Sequence, residues 1–275
     1  MTGFLTALQS IDPVAARIGP FTVHWYGLSY IVGIAICSAL MYYFAKRWGL
    51  SLTPDEFLTA ILCGTIGILA GGRVFYCLVY GGSYFWLHPW RILAVYEGGM
   101  SFHGSLIGGI LAGIVAARFT KIRFLTLLEL GFIGAPIGLG IGRVTNFING
   151  ELWGRVTEVP WGVVFAGAGP FPRHPSQLYE AFMEGVLLAA IMIAVAMRLP
   201  PPRPGTVLGT FLTGYGTFRI IGEFFRQPDA QLGFIAGDWL TMGILLSSAM
   251  VVAGIALLIV SNARDKADTS MSVRE

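Results

Sequence analysis

The chain has 275 residues, of which 55% are hydrophobic and only 12% charged, with a mean hydropathy of +0.70. Soluble domains are about a quarter charged and could not hide so much apolar surface, so the composition excludes a water-soluble fold and points to an all-α polytopic membrane protein. The net charge of +3 comes without a basic run or an aromatic-interleaved basic patch, which argues against nucleic acid as a partner.

In chain order, the opening stretch MTGFLTALQSIDPVAARIGPF lacks a basic start and is interrupted by Asp12, Pro13 and Pro20. It reads as a short interfacial segment, not a secretory signal. Seven candidate spans follow, at about 22–45, 57–80, 98–117, 124–142, 179–198, 205–222 and 237–260. Each approaches the roughly 20 apolar residues that a crossing needs. The expected architecture is about seven transmembrane helices in one bundle over residues 1–260, with a small extracytoplasmic head at about 143–176. LPPPRPG (199–205) reads as a tight turn, and residues 261–275 as a disordered cytoplasmic tail. Cys37, Cys63 and Cys77 lie in apolar segments without CxxC spacing, so they read as core packing, with no metal site.

Lysine and arginine set the orientation. Alternate connections hold Lys46 and Arg47, then Arg118, Lys121 and Arg123, then Arg198 and Arg203, then Arg264, Lys266 and Arg274, which includes every lysine. These face the cytoplasm by the positive-inside rule, which places the N-terminus and the head outside and the C-terminus inside. Eight arginines remain, and one at membrane depth costs several kcal/mol unless paired or hydrated. Arg73 falls inside the second span, Arg143 at the outer end of the fourth and Arg219 near the outer end of the sixth.

Three constellations carry chemistry. In GTFRIIGEFFRQPDAQLG (216–233), Arg219, Glu223 and Arg226 are spaced four and three apart on one helix face. The triplet leaves one net positive charge with guanidinium forks suited to phosphate oxygens; the competing reading is an ion-pair network that staples helix ends. In GLGIGRVTNFINGELWG (138–154), Gly138 and Gly142 offer a face for close helix packing, followed by Arg143, Asn146, Asn149 and Glu151. Here the bland alternative is an interfacial cap with a snorkelling arginine. In GGMSFHGSLIGGILAG (98–113), Gly104, Gly108, Gly109 and Gly113 leave a bare surface open to a helix or to a lipid glycerol backbone, with His103 at its outer end. A neutral imidazole there serves as a proton acceptor or as an inter-helix hydrogen-bond partner. Among the smaller features, Trp25 reads as an interface belt residue, and RHPSQLYEA (173–181) as a helix start with Pro175 in its first turn. Gln177, Glu180 and Glu184 share a face with a structural role, and Glu97 and Tyr215 are candidate pocket members.

These segments resemble the prolipoprotein diacylglyceryl transferase family. The most specific match is GRVTNFINGELWG (142–154), which departs from the family pattern only at Thr145, where glycine or alanine is usual. FHGSLIGG, FRIIGEFFRQPDAQLG, WYG and HPSQLYEA are similar in order and spacing along nearly the whole chain. The resemblance implies transfer of the diacylglyceryl group of phosphatidylglycerol to the lipobox cysteine of signal-peptide-bearing prolipoproteins in the bacterial inner membrane. It implies a thioether product, release of glycerol 1-phosphate and no cofactor. His103, Arg143 and Arg219 match its catalytic positions; Arg143, Tyr26, Asn146, Glu151, Gly154, Tyr215, Glu223 and Arg226 match its substrate-binding ones.

The alternatives are weaker. An anion or lipid transporter would line its full depth with polar groups and show an internal repeat, whereas the cytoplasmic half here is apolar. An intramembrane protease would need GxSxG, HExxH or a partner for Asp238, and none is found in the sequence.

Overall fold

In hydrocarbon each backbone N–H and C=O must find its partner within the chain, so long apolar stretches of this sequence become helices. The structure, a computed structural model, describes residues 11–19, 21–79, 84–94, 99–198, 203–228 and 233–272. The side chains of Ile18, Phe21, Trp86, Phe102, His103 and residues 264–272 lie outside that description, as do Glu97 and the turn residues 199–202. The chain divides into two compact units, Met1–Phe44 with Glu129–Glu275, and Ala45–Leu128.

The main helices are α1 (Trp25–Arg47), α2 (Pro54–Val79), α3 (Phe102–Thr120), α4 (Phe124–Ile148), α5 (Ser176–Arg198), α6 (Thr206–Glu223) and α7 (Met242–Ser272). They coincide with the seven expected segments, but the described residues contain five helices long and apolar enough to cross a membrane: α1, α2, α4, α5 and Met242–Ala263 of α7. Gly104–Thr120 is apolar but shorter. Helix α6 has only 18 residues and carries Arg219, Glu223 and four threonines. Its composition reflects the charged cluster built at its end.

In the smaller unit, glycine makes the packing. Gly67 and Gly71 of α2 meet Gly104 and Gly108 of α3 backbone to backbone. A Cβ on Gly71 would stand 2.8 Å from the Gly108 Cα, and one on Gly108 2.9 Å from the Gly71 Cα. Bare helix surfaces are a strong way to associate in lipid, where apolar burial gives no drive. The Gly104/Gly108 surface is therefore a helix seam and not a face open to a lipid backbone. Ser101 caps α3, its Oγ accepting from the Gly104 N–H at 3.4 Å. Arg73 is 3% exposed and donates to the carbonyls of Arg91 (2.7 Å), Ile92 (3.1 Å) and Gly99 (3.3 Å). Carbonyl dipoles thus absorb the cost of this buried cation, and it pins the loop between α2 and α3.

The larger unit opens with an antiparallel hairpin, β1 (Val14–Ile18) and β2 (Phe21–His24), where the sequence reading expects only an interfacial segment. Trp25 ties it to α1 by donating from its backbone N–H to the Pro13 carbonyl (3.1 Å) and from its indole to the Asp12 carbonyl (3.0 Å). Helix α4 packs on α1 through Gly134, against Cys37, and Gly138, opposite Gly33. Gly142 faces open space, so the close-packing face is Gly134/Gly138 and not Gly138/Gly142. On another side of α4, Gly140 meets Gly185 of α5: a Cβ on Gly140 would be 2.8 Å from the Gly185 Cα. Glu129, buried in α4, accepts from the N–H groups of Gly205 (2.9 Å), Val207 (3.1 Å) and Leu208 (3.3 Å), satisfying the start of α6. The segment 149–175 folds over a core of Phe147, Val163 and Phe165 with Trp153, Ala168 and Leu178.

We predict that Gly108→Val, which has no room for its side chain, costs about 1–3 kcal/mol through overpacking. Gly64→Ala on α2, facing open space, is neutral or stabilising. Thermal unfolding of the two variants in detergent checks the contrast.

Candidate functional site: a buried arginine and glutamate cluster

Helix α4 continues past the expected end at 142 to Ile148, so Arg143 and Asn146 stand one turn apart on its last stretch. Helix α5 begins at Ser176, with Pro175 as its N-cap residue, and widens into a π-helical stretch over Ala181–Leu187. Such stretches are frequent at functional sites because they reset which side chains share a face. Glu180 lies just before it and Glu184 within it. The Gly140–Gly185 contact brings the α4 and α5 backbones together one turn before Arg143 and one residue after Glu184, so arginine and glutamate meet.

Glu180 is the hub. Its Oε2 lies 2.9 Å from Arg143 Nε, 3.3 Å from Arg219 Nη1 and 3.9 Å from Arg226 Nη1. Glu184 Oε2 accepts from Arg143 Nε and Nη2, both at 3.3 Å, and its Oε1 lies 4.0 Å from Arg219 Nη1. Glu223 pairs with Arg219 one helical turn away on α6. Three guanidiniums therefore face three carboxylates, and the cluster is formally neutral. The expected net positive charge from Arg219, Glu223 and Arg226 is thus corrected: α5 contributes two more carboxylates and α4 one more arginine. Neutrality is what the setting demands, because uncompensated charge is expensive away from water.

The other expected positions divide into two groups. Tyr215 on α6 lies within electrostatic range of Glu180, Glu184, Arg143 and Arg219, and Tyr26 on α1 within range of Glu151 and Arg143. Asn146 and Asn149 donate to Glu151 Oε1 at 2.9 and 3.2 Å, and Gln177 donates to the Glu151 carbonyl at 2.6 Å, fixing the turn after α4. Gly154 works through its backbone. It bridges to Arg226 and donates to the His174 carbonyl at 3.0 Å, and a Cβ there would lie 2.7 Å from the Phe225 carbonyl oxygen. Arg155 fastens the same segment to the end of α6 by donating to the carbonyls of Arg226 (3.1 Å) and Glu223 (3.3 Å). Burial lowers the His174 imidazole below its ordinary value, and its Nδ1 lies 3.2 Å from the Tyr179 hydroxyl. His103 opens α3 in the smaller unit, and its side chain lies outside the described residues.

In the sequence Glu180 and Glu184 read as structural residues on one helix face; in the structure they are the centre of the cluster. Their signal was present: two carboxylates four apart at the start of an apolar helix are as costly as the arginines they meet.

This grouping stands where GRVTNFINGELWG, HPSQLYEA and FRIIGEFFRQPDAQLG meet. Residues 13–260 match the prolipoprotein diacylglyceryl transferase family. The chain belongs to this family. It is a transferase. It is 50% identical over 254 residues to the phosphatidylglycerol–prolipoprotein diacylglyceryl transferase of Geobacter sulfurreducens, covering 92% of this chain and 96% of that protein. The protein of the same name from Brucella anthropi is 46% identical over 260 residues, covering 90% of this chain and 91% of its own length.

We predict that Glu180→Gln, which leaves three guanidiniums one anion short, destabilises the protein by about 3–5 kcal/mol, the scale for breaking a buried ion pair. Glu158→Gln, at an exposed position, shifts the melting temperature little. Unfolding followed by tryptophan fluorescence checks both.

Proposed function

We propose that the chain transfers the diacylglyceryl group of phosphatidylglycerol to the lipobox cysteine of a signal-peptide-bearing prolipoprotein, at the outer face of the bacterial inner membrane. In this reading its N-terminus lies outside and its C-terminus in the cytoplasm. The observation that carries the proposal is the graded exposure of the cluster. The side chains of Arg143 and Arg219 are 16% and 13% exposed, while those of Glu180, Glu184 and Glu223 are 1%, 0% and 5% exposed. An incoming ligand meets guanidinium first, with the carboxylates underneath holding each fork in place. That is a preorganised site for an anionic head group.

The chemistry follows from the bonds. The cysteine sulfur forms a thioether to the glycerol carbon, and the bond from that carbon to the phosphate ester oxygen breaks. Glycerol 1-phosphate leaves with the electron pair, and no oxidation state changes, so no redox cofactor is needed. Arg143 and Arg219 hold the phosphate and stabilise the charge that grows on the leaving oxygen. The phenols of Tyr26 and Tyr215 and the Asn146–Glu151 pair border the head group. The thiol loses its proton to become the nucleophile, and we assign that proton to the imidazole of His103, whose residue type suits a base near neutral pH.

Incubating the purified protein with phosphatidylglycerol and a lipobox peptide should give a diacylglyceryl mass gain on the peptide. Arg219→Lys, which keeps the charge but loses the fork, should lower that rate by about 100-fold. Lipid movement with no peptide mass gain would indicate a transporter instead. Undiminished transfer by His103→Gln would remove the proton-acceptor assignment.

A further inference from the structure

Arg219 is held by Glu223, and Glu223 is in turn held by residues that none of the motif segments contains. Thr241, 4% exposed, donates its hydroxyl proton to Glu223 Oε2 at 2.7 Å. The same Oγ1 accepts from the Ile244 N–H at 3.2 Å, capping the start of α7. That second bond occupies the oxygen from the helix side and leaves the hydroxyl proton to point at the carboxylate. Two residues on, Gly243 lies directly against the carboxylate. A Cβ there would be 2.6 Å from Glu223 Cδ and 2.5 Å from Oε1. Only glycine lets the first turn of a 31-residue helix, with its positive end, approach the anion so closely.

We infer that Thr241 and Gly243 are positioning residues: acting through Glu223, they set where the Arg219 guanidinium meets the phosphate of the lipid substrate. The inference rests on the proposed role of Arg219. Glu223 is the last residue of α6, where the helix no longer restrains it from both sides. With one oxygen on Arg219 and the other on Thr241, it has one orientation. Without the hydroxyl its second oxygen is unheld, and the orientation of the carboxylate that pairs with Arg219 shifts with the pull of Glu180 and Glu184.

The test is steady-state transfer with phosphatidylglycerol and a lipobox peptide varied independently. Thr241→Val, equal in shape but without the hydroxyl, should raise the KM for phosphatidylglycerol about tenfold, the scale of one hydrogen bond to a charged group. The KM for the peptide should stay unchanged. Thr241→Ser should restore the wild-type lipid KM, and Gly243→Ala, which displaces the carboxylate directly, should reproduce the defect. In an Arg219→Lys background, Thr241→Val should add less than about twofold, because the two act on one interaction. A normal lipid KM in Thr241→Val beside a raised one in Arg219→Lys would overturn the positioning role and leave the phosphate role of Arg219 standing. A normal lipid KM together with an undiminished rate in Arg219→Lys would overturn both. Equal loss for lipid and peptide, or full additivity with Arg219→Lys, would show that Thr241 serves folding only and would also overturn the inference.

Discussion

A guanidinium placed among apolar helices is tolerated only beside groups that replace the water it has lost. Among the described residues of the larger unit, that condition is met by carboxylates. Arg143, Arg219 and Arg226 converge on Glu180, and Glu184 and Glu223 complete the balance. In the smaller unit Arg73 meets the same condition with backbone carbonyls. The two solutions differ in consequence. Arg73 is sealed at 3% exposure, whereas Arg143 and Arg219 keep an open edge over buried anions. The first holds a loop, and the second is the partly exposed cluster on which the proposed lipid site rests.

The cluster depends on backbone contacts as much as on charge. Arginine and glutamate from different helices meet only where the helices approach closely, and glycine supplies that approach. Gly140 against Gly185 sets α4 on α5 at the level of Arg143 and Glu184, and Glu184 lies inside the π stretch of α5 with Glu180 just before it. Gly243 does the same for α7 and Glu223. At the opposite end of α6, Glu129 holds the first turn to α4, so the helix that carries Arg219 is fixed at both ends.

Much of this was legible in the residues. Apolar runs placed every main helix, because period and length are written locally. The outlying arginines were legible for the same reason, since a charge in an apolar run stands out. What was not legible is partnership. The spacing of Glu180 and Glu184 shows them on one face but not that the face meets Arg143, because that depends on Gly140 finding Gly185 in another helix. The Gly104/Gly108 surface suits a lipid or a helix equally well on paper, and the matching spacing of Gly67 and Gly71 decides for a helix. The hairpin at Val14–His24 was hidden by its short strands, which carry little periodic signal.

Phosphate binding to the open edge of the cluster is tested most directly by a structure of the protein with phosphatidylglycerol in a lipid nanodisc. Phosphate oxygens are expected within about 3 Å of the guanidiniums of both Arg143 and Arg219, with Glu180 and Glu184 still beneath them. A phosphate bound elsewhere, with both arginines still closed against the glutamates, would contradict it.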